Sequence, residues 1–433
     1  MDQGLVIGYD LCDDHCRISF HAERQDEPAD LAFSDEENPY LIHNSICKKK
    51  GSDTWLVGEE AYETALLGNG AIVDKLLRLV SVGGSATFEG VSYSAEELLY
   101  HFLDETLKLL YEDPGTKEVA MLVFTMQELN TTVMDAVVRC VKRLGIERKR
   151  VRIISHTESF LFYVMSRQKD LWTNISVLFD LSDECLSYYE MNVMRGQQPN
   201  AVLARRASLE EGFKPNIIET EAGRRMADSI MTSCVDRMLS KKQVSSVFLS
   251  GRGMDNCQKW GVEFLKKLCY RRRVFFVENL FAKGAAYEAA DLLREKTAYP
   301  YMILCEGRIG VVITMDLYQN GATKTLRLSE SGGSWYESKE EFDVIPDNET
   351  SLKLKVRKAG ERSPQLVEVP LTEFSGFENR KTRIGVTLQF TSENTFRVVL
   401  KDKGFGEFRR ATDTVSTHEY RIDTAVRLLT PET

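Results

Sequence analysis

Two stretches decide the reading of this 433-residue sequence: Leu5–Phe20, LVIGYDLCDDHCRISF, and Ile175–Glu190, ISVLFDLSDECLSYYE. Each is an apolar strand ending in aromatic-Asp-Leu, a short polar turn, and a second strand of β-forming residues. The same hairpin written twice implies a duplicated unit.

The segments downstream of each hairpin support the duplication. Strands at Val119–Phe124 and Val244–Leu249 each lead to an amphipathic helix, over Thr131–Leu144 with Val133, Val137, Val138 and Val141 at helical spacing, and over Asp255–Cys269. Each half then adds another strand and helix: Val151–Ile154 before Glu158–Ser166, and Val274–Val277 before Asn279–Leu293. A Ser94-x-x-Glu97 capping box opens a further helix reaching Glu112. After Lys296 helical spacing gives way to alternating runs between Gly, Asn and Asp turns, including Gly310–Met315, Thr323–Leu328, Ser351–Val356, Arg383–Phe390 and Thr395–Leu400. The predicted organisation is two α/β lobes, 1–173 and 174–297, and an all-β domain, 298–433, with Pro300 at the junction.

Composition bounds the function. At roughly 150 residues per domain the length suits about three domains. Lys plus Arg number 56 against 65 Asp plus Glu, so the net charge of −9 argues against a nucleic-acid binder working by bulk attraction. No apolar run approaches the roughly 18 residues of a membrane span, and Met1–Gly4 lacks a signal peptide's basic start, so the expectation is cytoplasmic. Nine cysteines without a C-x-x-C pair signal neither a disulfide framework nor a zinc ribbon. Cys12-Asp13-Asp14-His15-Cys16 offers soft ligands at a spacing that matches no standard zinc pattern, and it reads as a loop between strands.

Paired hairpins opening after a strand-end Asp are a way of gripping a nucleotide, with turns that hold phosphates and carboxylates that organise hydrated Mg²⁺. In chain order, Ile7-Gly8-Tyr9-Asp10-Leu11, Leu56-Val57-Gly58-Glu59-Glu60-Ala61, Ile153-Ile154, Phe179-Asp180-Leu181, Val247–Gly251 and Ala282-Lys283-Gly284-Ala285-Ala286 resemble motifs of the DnaK-type heat-shock chaperones in the actin-like ATPase superfamily. Ile384–Phe390 and Lys401-Asp402-Lys403-Gly404 are similar to segments of that family's substrate-binding β domain. The resemblance implies a duplicated actin-like (RNase H-like) fold in two lobes, followed by a β domain that grips a protein or peptide partner. The family-equivalent nucleotide positions are Asp10, Cys12, Asp13 and Asp14 in the first turn, Asp180, Ser182, Asp183 and Glu184 in the second, and Ser250, Gly251 and Gly253.

The departures from the family point away from catalysis. Glycine at a phosphate turn lets backbone N–H groups approach the ligand, whereas here Cys12, Asp13 and Asp14, then Ser182, Asp183, Glu184 and Cys185, occupy those positions. Each like-charge pair at about 4 Å costs on the order of 1 kcal/mol in water, and more in a desolvated cleft. The family's lysine falls at Leu77, beside Lys75 and Arg78; its Glu-Pro falls at His156-Thr157; its second phosphate-loop Asp falls at Ser187. Only 70 positions separate Asp180 from Ser250, too few for the family's purine-clamping subdomain, and Glu221-x-x-Arg224-Arg225 reads as a solvated helix face. Asp10 and Asp180 read equally as strand-end caps or as a remaining ion site; converging carboxylates would favour Mg²⁺ or Ca²⁺. Arg271-Arg272-Arg273 reads as a solvated turn, and with the sequence running only to Thr433 the expectation is a β domain without the family's helical lid. The expectation is a pseudo-chaperone scaffold with ATP and Mg binding weak or lost, a protein or peptide partner, no catalytic residue and no assigned metal. The alternative is an active ATPase with a rearranged, cation-assisted site.

Overall fold

The computed structural model describes every residue except 1–3, 22–26, 34–38, 113–117, 183–184, 196–199, 210–211, 375 and 423–433. The protein is a mixed α/β chain forming two compact units, one of Met1–Val193 with Ala204–Pro300, the other of Met194–Leu203 with Tyr301–Thr433.

The first unit opens with β1 (Leu5–Leu11), β2 (His15–His21) and β3 (Ala29–Asp30), an antiparallel run closed by the tight turn in which the Cys12 amide donates to the His15 carbonyl at 3.0 Å. After β4 (Ile42–His43), a small sheet of β5 (Ser45–Lys49), β6 (Trp55–Val57) and β7 (Gly70–Asp74) carries α1 (Gly58–Leu66). Then come α2 (Leu76–Ser81), the hairpin of β8 (Ser85–Phe88) and β9 (Val91–Ser94), and α3 (Ala95–Glu112). The capping box at the start of α3 forms as read: the Glu97 amide donates to Ser94 Oγ at 3.2 Å and the Ser94 amide to Glu97 Oε2 at 2.9 Å. Next, β10 (Val119–Met126) joins β1 in parallel, α4 (Thr131–Arg143) forms under an Asn130 cap, β11 (Val151–Ser155) extends the sheet, and α5 (His156–Met165) begins at once. The resulting strand order is β11-β10-β1-β2-β3.

The second half repeats that order. β12 (Ile175–Leu181) pairs antiparallel with β13 (Leu186–Met194), and β14 (Ala201–Ser208) lies beyond it. After α6 (Glu221–Leu239), β15 (Val244–Ser250) adds in parallel to β12, and after α7 (Val262–Leu268), β16 (Arg273–Phe276) adds in parallel to β15. Helix α8 (Leu280–Leu292) ends the unit. The helix expected over Asp255–Cys269 is shorter, because Gly251 at φ 90° and Asn256 at φ 54° break the segment into 3₁₀ turns before α7 starts. Its apolar spacing is still used: Met254, Cys257, Trp260, Phe264 and Leu268 all pack under β12 with Val177, Phe179 and Leu181.

Strand alternation sends successive residues of β1 to opposite faces. Tyr9 points one way, its hydroxyl paired with Thr106 Oγ1 of α3 at 2.9 Å. Gly8 points the other way, onto α8, where a Cβ would sit 2.1 Å from the Ala282 carbonyl oxygen and 2.3 Å from the Ala286 nitrogen. On α8 itself, Gly284 meets α5 as closely: a Cβ there would lie 2.0 Å from the Ser159 carbonyl oxygen. From the far side, Phe160 and Tyr163 of α5 touch Tyr189 of β13 and Phe248 of β15, with ring centroids 5.9 and 5.8 Å apart. Helices α5 and α8 therefore lie between the two sheets, and only glycine permits the approach.

In the second unit, β17 (Met302–Leu304) pairs in parallel with Ala201–Leu203. Beyond it the chain forms two antiparallel sheets. One has β19 (Ala322–Arg327), β18 (Val311–Gln319), β21 (Ser351–Lys358) and β22 (Gln365–Pro370) in that order; the other has β20 (Lys339–Val344), β23 (Ile384–Ser392), β24 (Thr395–Asp402) and β25 (Val415–Arg421). Along β23, Leu388 and Phe390 are buried while Gln389 is exposed, the alternation read from the sequence. Asp402 ends β24 almost fully buried and accepts from the Gly404 and Thr412 amides at 2.9 and 2.8 Å, and from the Arg409 guanidinium. Burial alone would raise its pKa, but these donors hold the carboxyl well below the usual carboxylate range.

Substituting Gly8→Ala sets a side chain against backbone on two sides and cannot be relieved by a rotamer change. The variant is expected to lose more than about 4 kcal/mol of stability in denaturant unfolding, while Gly68→Ala, where a Cβ meets nothing, loses about 1 kcal/mol from its positive φ alone.

Candidate functional site

Asp10 lies two residues beyond Gly8 on the same face of β1, and Asp180 is the penultimate residue of β12, as Asp10 is of β1; both carboxylates border one small cavity with His156 of α5 and Phe281 of α8. Helix α5 starts at His156, capped by Ser155, whose Oγ accepts from the Glu158 amide at 3.2 Å. His156 Nε2 lies 2.7 Å from Asp10 Oδ1, with both residues at least 95% buried. The imidazole stacks on Phe281, the second residue of α8, with centroids 3.9 Å apart and planes 7° from parallel. Its Nδ1 is buried without a hydrogen-bond partner among the described residues, so the stacking holds the ring. Cys12 completes the cluster, its Sγ 3.4 Å from Asp10 Oδ1 and 3.7 Å from His156 Nε2. Asp10, Cys12 and His156 thus present three ligand atoms of the kind that hold a metal.

The two strand-end aspartates sit in different fields. Burial pushes both up. For Asp10, His156 and then His15 and Arg17 outweigh burial, and its pKa falls below the usual value; the positive end of α5 adds to the same effect. For Asp180 burial wins, and the carboxyl is pushed up to about 6. Burial, followed by the Arg17 charge, lowers His15 to about 3, leaving its imidazole neutral. Arg17 is opposite Asp10 in the β1–β2 register and lines the cavity, a residue that sequence reasoning missed; its signal was its place one strand across from the Asp.

The sequence-predicted positions divide between two cavities. Asp10, Cys12, Asp14, Asp180, Ser182 and Gly251 border a space of only about 30 Å³, about that of one water, together with His156 and Phe281. Ser250, Gly251 and Gly253 border a larger opening of about 610 Å³, shared with Arg252, Asp255 and Glu278. At Gly251 a Cβ would lie 2.5 Å from the Leu181 carbonyl oxygen, which explains the glycine there. The first turn spends its acidic side chains within the chain: Asp13 Oδ1 accepts from the Arg78 amide in α2 at 2.9 Å, and Asp14 Oδ1 lies 3.8 Å from Lys75 Nζ. Asp183 and Glu184 lie outside the described residues. In the second turn the Ser182 amide donates to the Cys185 carbonyl at 3.1 Å, matching the Cys12–His15 closure. Ser187 is buried, 3.4 Å from Cys185 Sγ, and Gln127 Nε2 donates to that sulfur at 3.3 Å. Arg224 and Arg225 lie on α6 facing solvent, Arg225 paired with Glu221, while Arg273 of the arginine run pairs with Asp170. Between Asp180 and β15, which ends at Ser250, the described residues contain β13, β14 and α6 as their regular strands and α-helix.

Because its folded pKa exceeds the unfolded value near 3.8, Asp180 favours folding most below that pH, and this contribution is lost as pH rises through about 6. Asp180→Asn is therefore expected to be more stable than the parent at pH 7 by about 3 kcal/mol, with the advantage vanishing below pH 4. Denaturant unfolding across pH, with EDTA present so that no bound cation alters the carboxyl, measures this.

Among the described residues no helix is long and apolar enough to cross a membrane. The curated proteins contain no match to this chain. Residues 308–422 match a domain of unknown function, DUF8552. Residues 27–306, more than half the chain, match the C-terminal part of DUF5716, and the protein belongs to this family of unknown function.

Proposed function

We propose that the chain is a scaffold built on a duplicated actin-like, RNase H-like fold that resembles the DnaK-type chaperones. Its nucleotide site is closed by its own side chains, and its working role is to hold a protein or peptide partner on the β unit. The observation that carries this reading is the space at the two strand-end turns. About 30 Å³ accommodates a water, whereas ligand pockets run to roughly 300–1,000 Å³. Cys12 stands where the family's first phosphate turn has glycine, with its sulfur 3.7 Å from His156 Nε2, and Asp10 is already engaged by His156. The repeated strand orders β11-β10-β1-β2-β3 and β16-β15-β12-β13-β14 support the fold assignment, as does the passage of α5 and α8 between the sheets. The nine cysteines, none of them paired in a disulfide, are compatible with a cytoplasmic location.

A second reading, an active ATPase with a rearranged, cation-assisted site, is favoured by one feature: the opening of about 610 Å³ at Ser250, Gly251 and Gly253 is large enough for a small molecule. Glu219, Asp255 and Glu278 on its walls weigh against an unaccompanied polyphosphate.

Calorimetry separates the two. With ATP and Mg²⁺ the full chain is expected to show no micromolar binding, and a peptide library is expected to yield extended apolar sequences that bind it. Micromolar ATP binding, or a library with no retained peptide, would overturn the scaffold reading.

A further inference from the structure

We propose that Asp10, Cys12 and His156 bind one divalent transition-metal ion of the zinc type. The inference goes beyond the scaffold reading, because an ion at this site requires neither nucleotide nor partner. It starts from a coincidence of topology. Asp10 and Cys12 come from the end of β1 and its turn, while His156 comes from the first residue of α5, 144 positions after Cys12. Their donor atoms nevertheless lie within 4.8 Å of one another.

The spacing suits a tetrahedral ion. Zinc bonds of about 2.3 Å to sulfur, 2.0–2.1 Å to nitrogen and 2.0–2.2 Å to oxygen put sulfur about 3.6 Å from either other ligand, and nitrogen about 3.4 Å from oxygen. The Cys12 sulfur stands 3.4 Å from Asp10 Oδ1 and 3.7 Å from His156 Nε2. The third side, at 2.7 Å, is the hydrogen bond that the ion would replace, and it has to open by about 0.7 Å. The neighbouring cavity of about 30 Å³ has room for one water as fourth ligand.

Donor chemistry sets the class of ion. A thiolate and an imidazole beside a single carboxylate suit zinc, cobalt or nickel, not the all-oxygen shells of Mg²⁺ or Ca²⁺. On binding, the Cys12 thiol loses its proton to solvent, and His156 offers the Nε2 lone pair with its ring proton on Nδ1. Phe281, stacked on the imidazole, fixes the ring plane in place of a hydrogen-bonded partner. The pair of turns also explains why one half carries the site. In the second hairpin Ser182 stands at the position of Cys12, and β16, the counterpart of β11, is followed by Val277, Glu278 and Asn279 before α8 begins at Leu280, whereas β11 runs straight into the helix that begins with His156.

Full-length protein stripped with EDTA and then titrated with Co²⁺ tests the assignment. One ion per chain should bind, with the thiolate-to-cobalt charge-transfer absorption and the intense visible bands of a tetrahedral site, and Zn²⁺ should displace it. Cys12→Ser should abolish the charge-transfer band, and His156→Gln should weaken binding at least about 100-fold, since loss of even an outer-shell partner costs 10–100-fold. Cys269→Ser, at an exposed thiol, should change neither. Circular dichroism of each variant establishes that it is folded. If a folded His156→Gln cannot be obtained, Asp10→Asn and Cys12→Ser carry the test. Failure to bind Co²⁺, a band that survives Cys12→Ser, or octahedral spectra equal to those seen with Mg²⁺ competition would overturn the proposal. None of these outcomes bears on ATP or peptide binding, so failure here is distinguishable from failure of the scaffold reading.

Discussion

The first unit depends on two backbone contacts. Gly8 lets α8 lie directly on β1, and Gly284 lets α5 lie directly on α8. A side chain at either position would push the layers apart and uncover the apolar faces they share, where Met121, Val123, Ile154, Ala285 and Ala289 are buried together. The same contacts create the site. With Gly8 fixed against α8, strand alternation puts Asp10 on that face one pleat further along, at the level where α5 and α8 begin. His156 and Phe281, at the first turns of those helices, are then close enough to close over it.

A duplicated sequence pattern has yielded unlike halves. The aromatic-Asp-Leu strand ends of β1 and β12 are near copies, and each Asp occupies the same place in its hairpin register. What differs is what lies opposite. Asp10 faces Arg17 across the hairpin and His156 across the layer, while Asp180 faces Ser187. Burial acts on both carboxyls with the same sign, so the partners decide, and the two pKa values move apart. A pair of carboxylates forced apart in this way loses its charge in two steps as pH falls, Asp180 first, near pH 6, and Asp10 only below the usual carboxylate range.

Much of this was legible in the residues. The hairpins, the Ser94 capping box, the strand at Val119 and the alternation near Leu388 come from periodicity and turn chemistry, because those signals are local. The segment after Ser250 shows the limit: Met254, Cys257, Trp260, Phe264 and Leu268 have helical spacing and reach the core as that spacing implies, yet 3₁₀ turns deliver the first of them, since Gly251 and Asn256 take left-handed backbone angles. Partners far along the chain were not legible at all. Asp13 finds the Arg78 amide, Cys12 finds His156, and Arg206 reaches the Gln127 carbonyl, each across more than 60 positions and each decided by tertiary packing.

On the scaffold reading, these contacts change the physical reason for which a polyphosphate would be excluded. In the sequence, the obstacle was a set of acidic turns, each like-charge pair worth on the order of 1 kcal/mol in water. In the structure Asp13 is satisfied by a helix amide and Asp14 lies near Lys75, so part of that field is cancelled locally. What remains is the cost of opening the inner cluster. Leaving a buried hydrogen-bonding group without its partner costs about 1–3 kcal/mol, and the Asp10–His156 contact is buried, so separating it to admit a phosphate costs at least as much as any single repulsion at the exposed turn. A compact cation escapes that penalty, because it replaces the contact with bonds to the same two atoms while leaving α5 and α8 where the glycines hold them. On that reading, closure of the cleft would discriminate by size before it discriminates by charge.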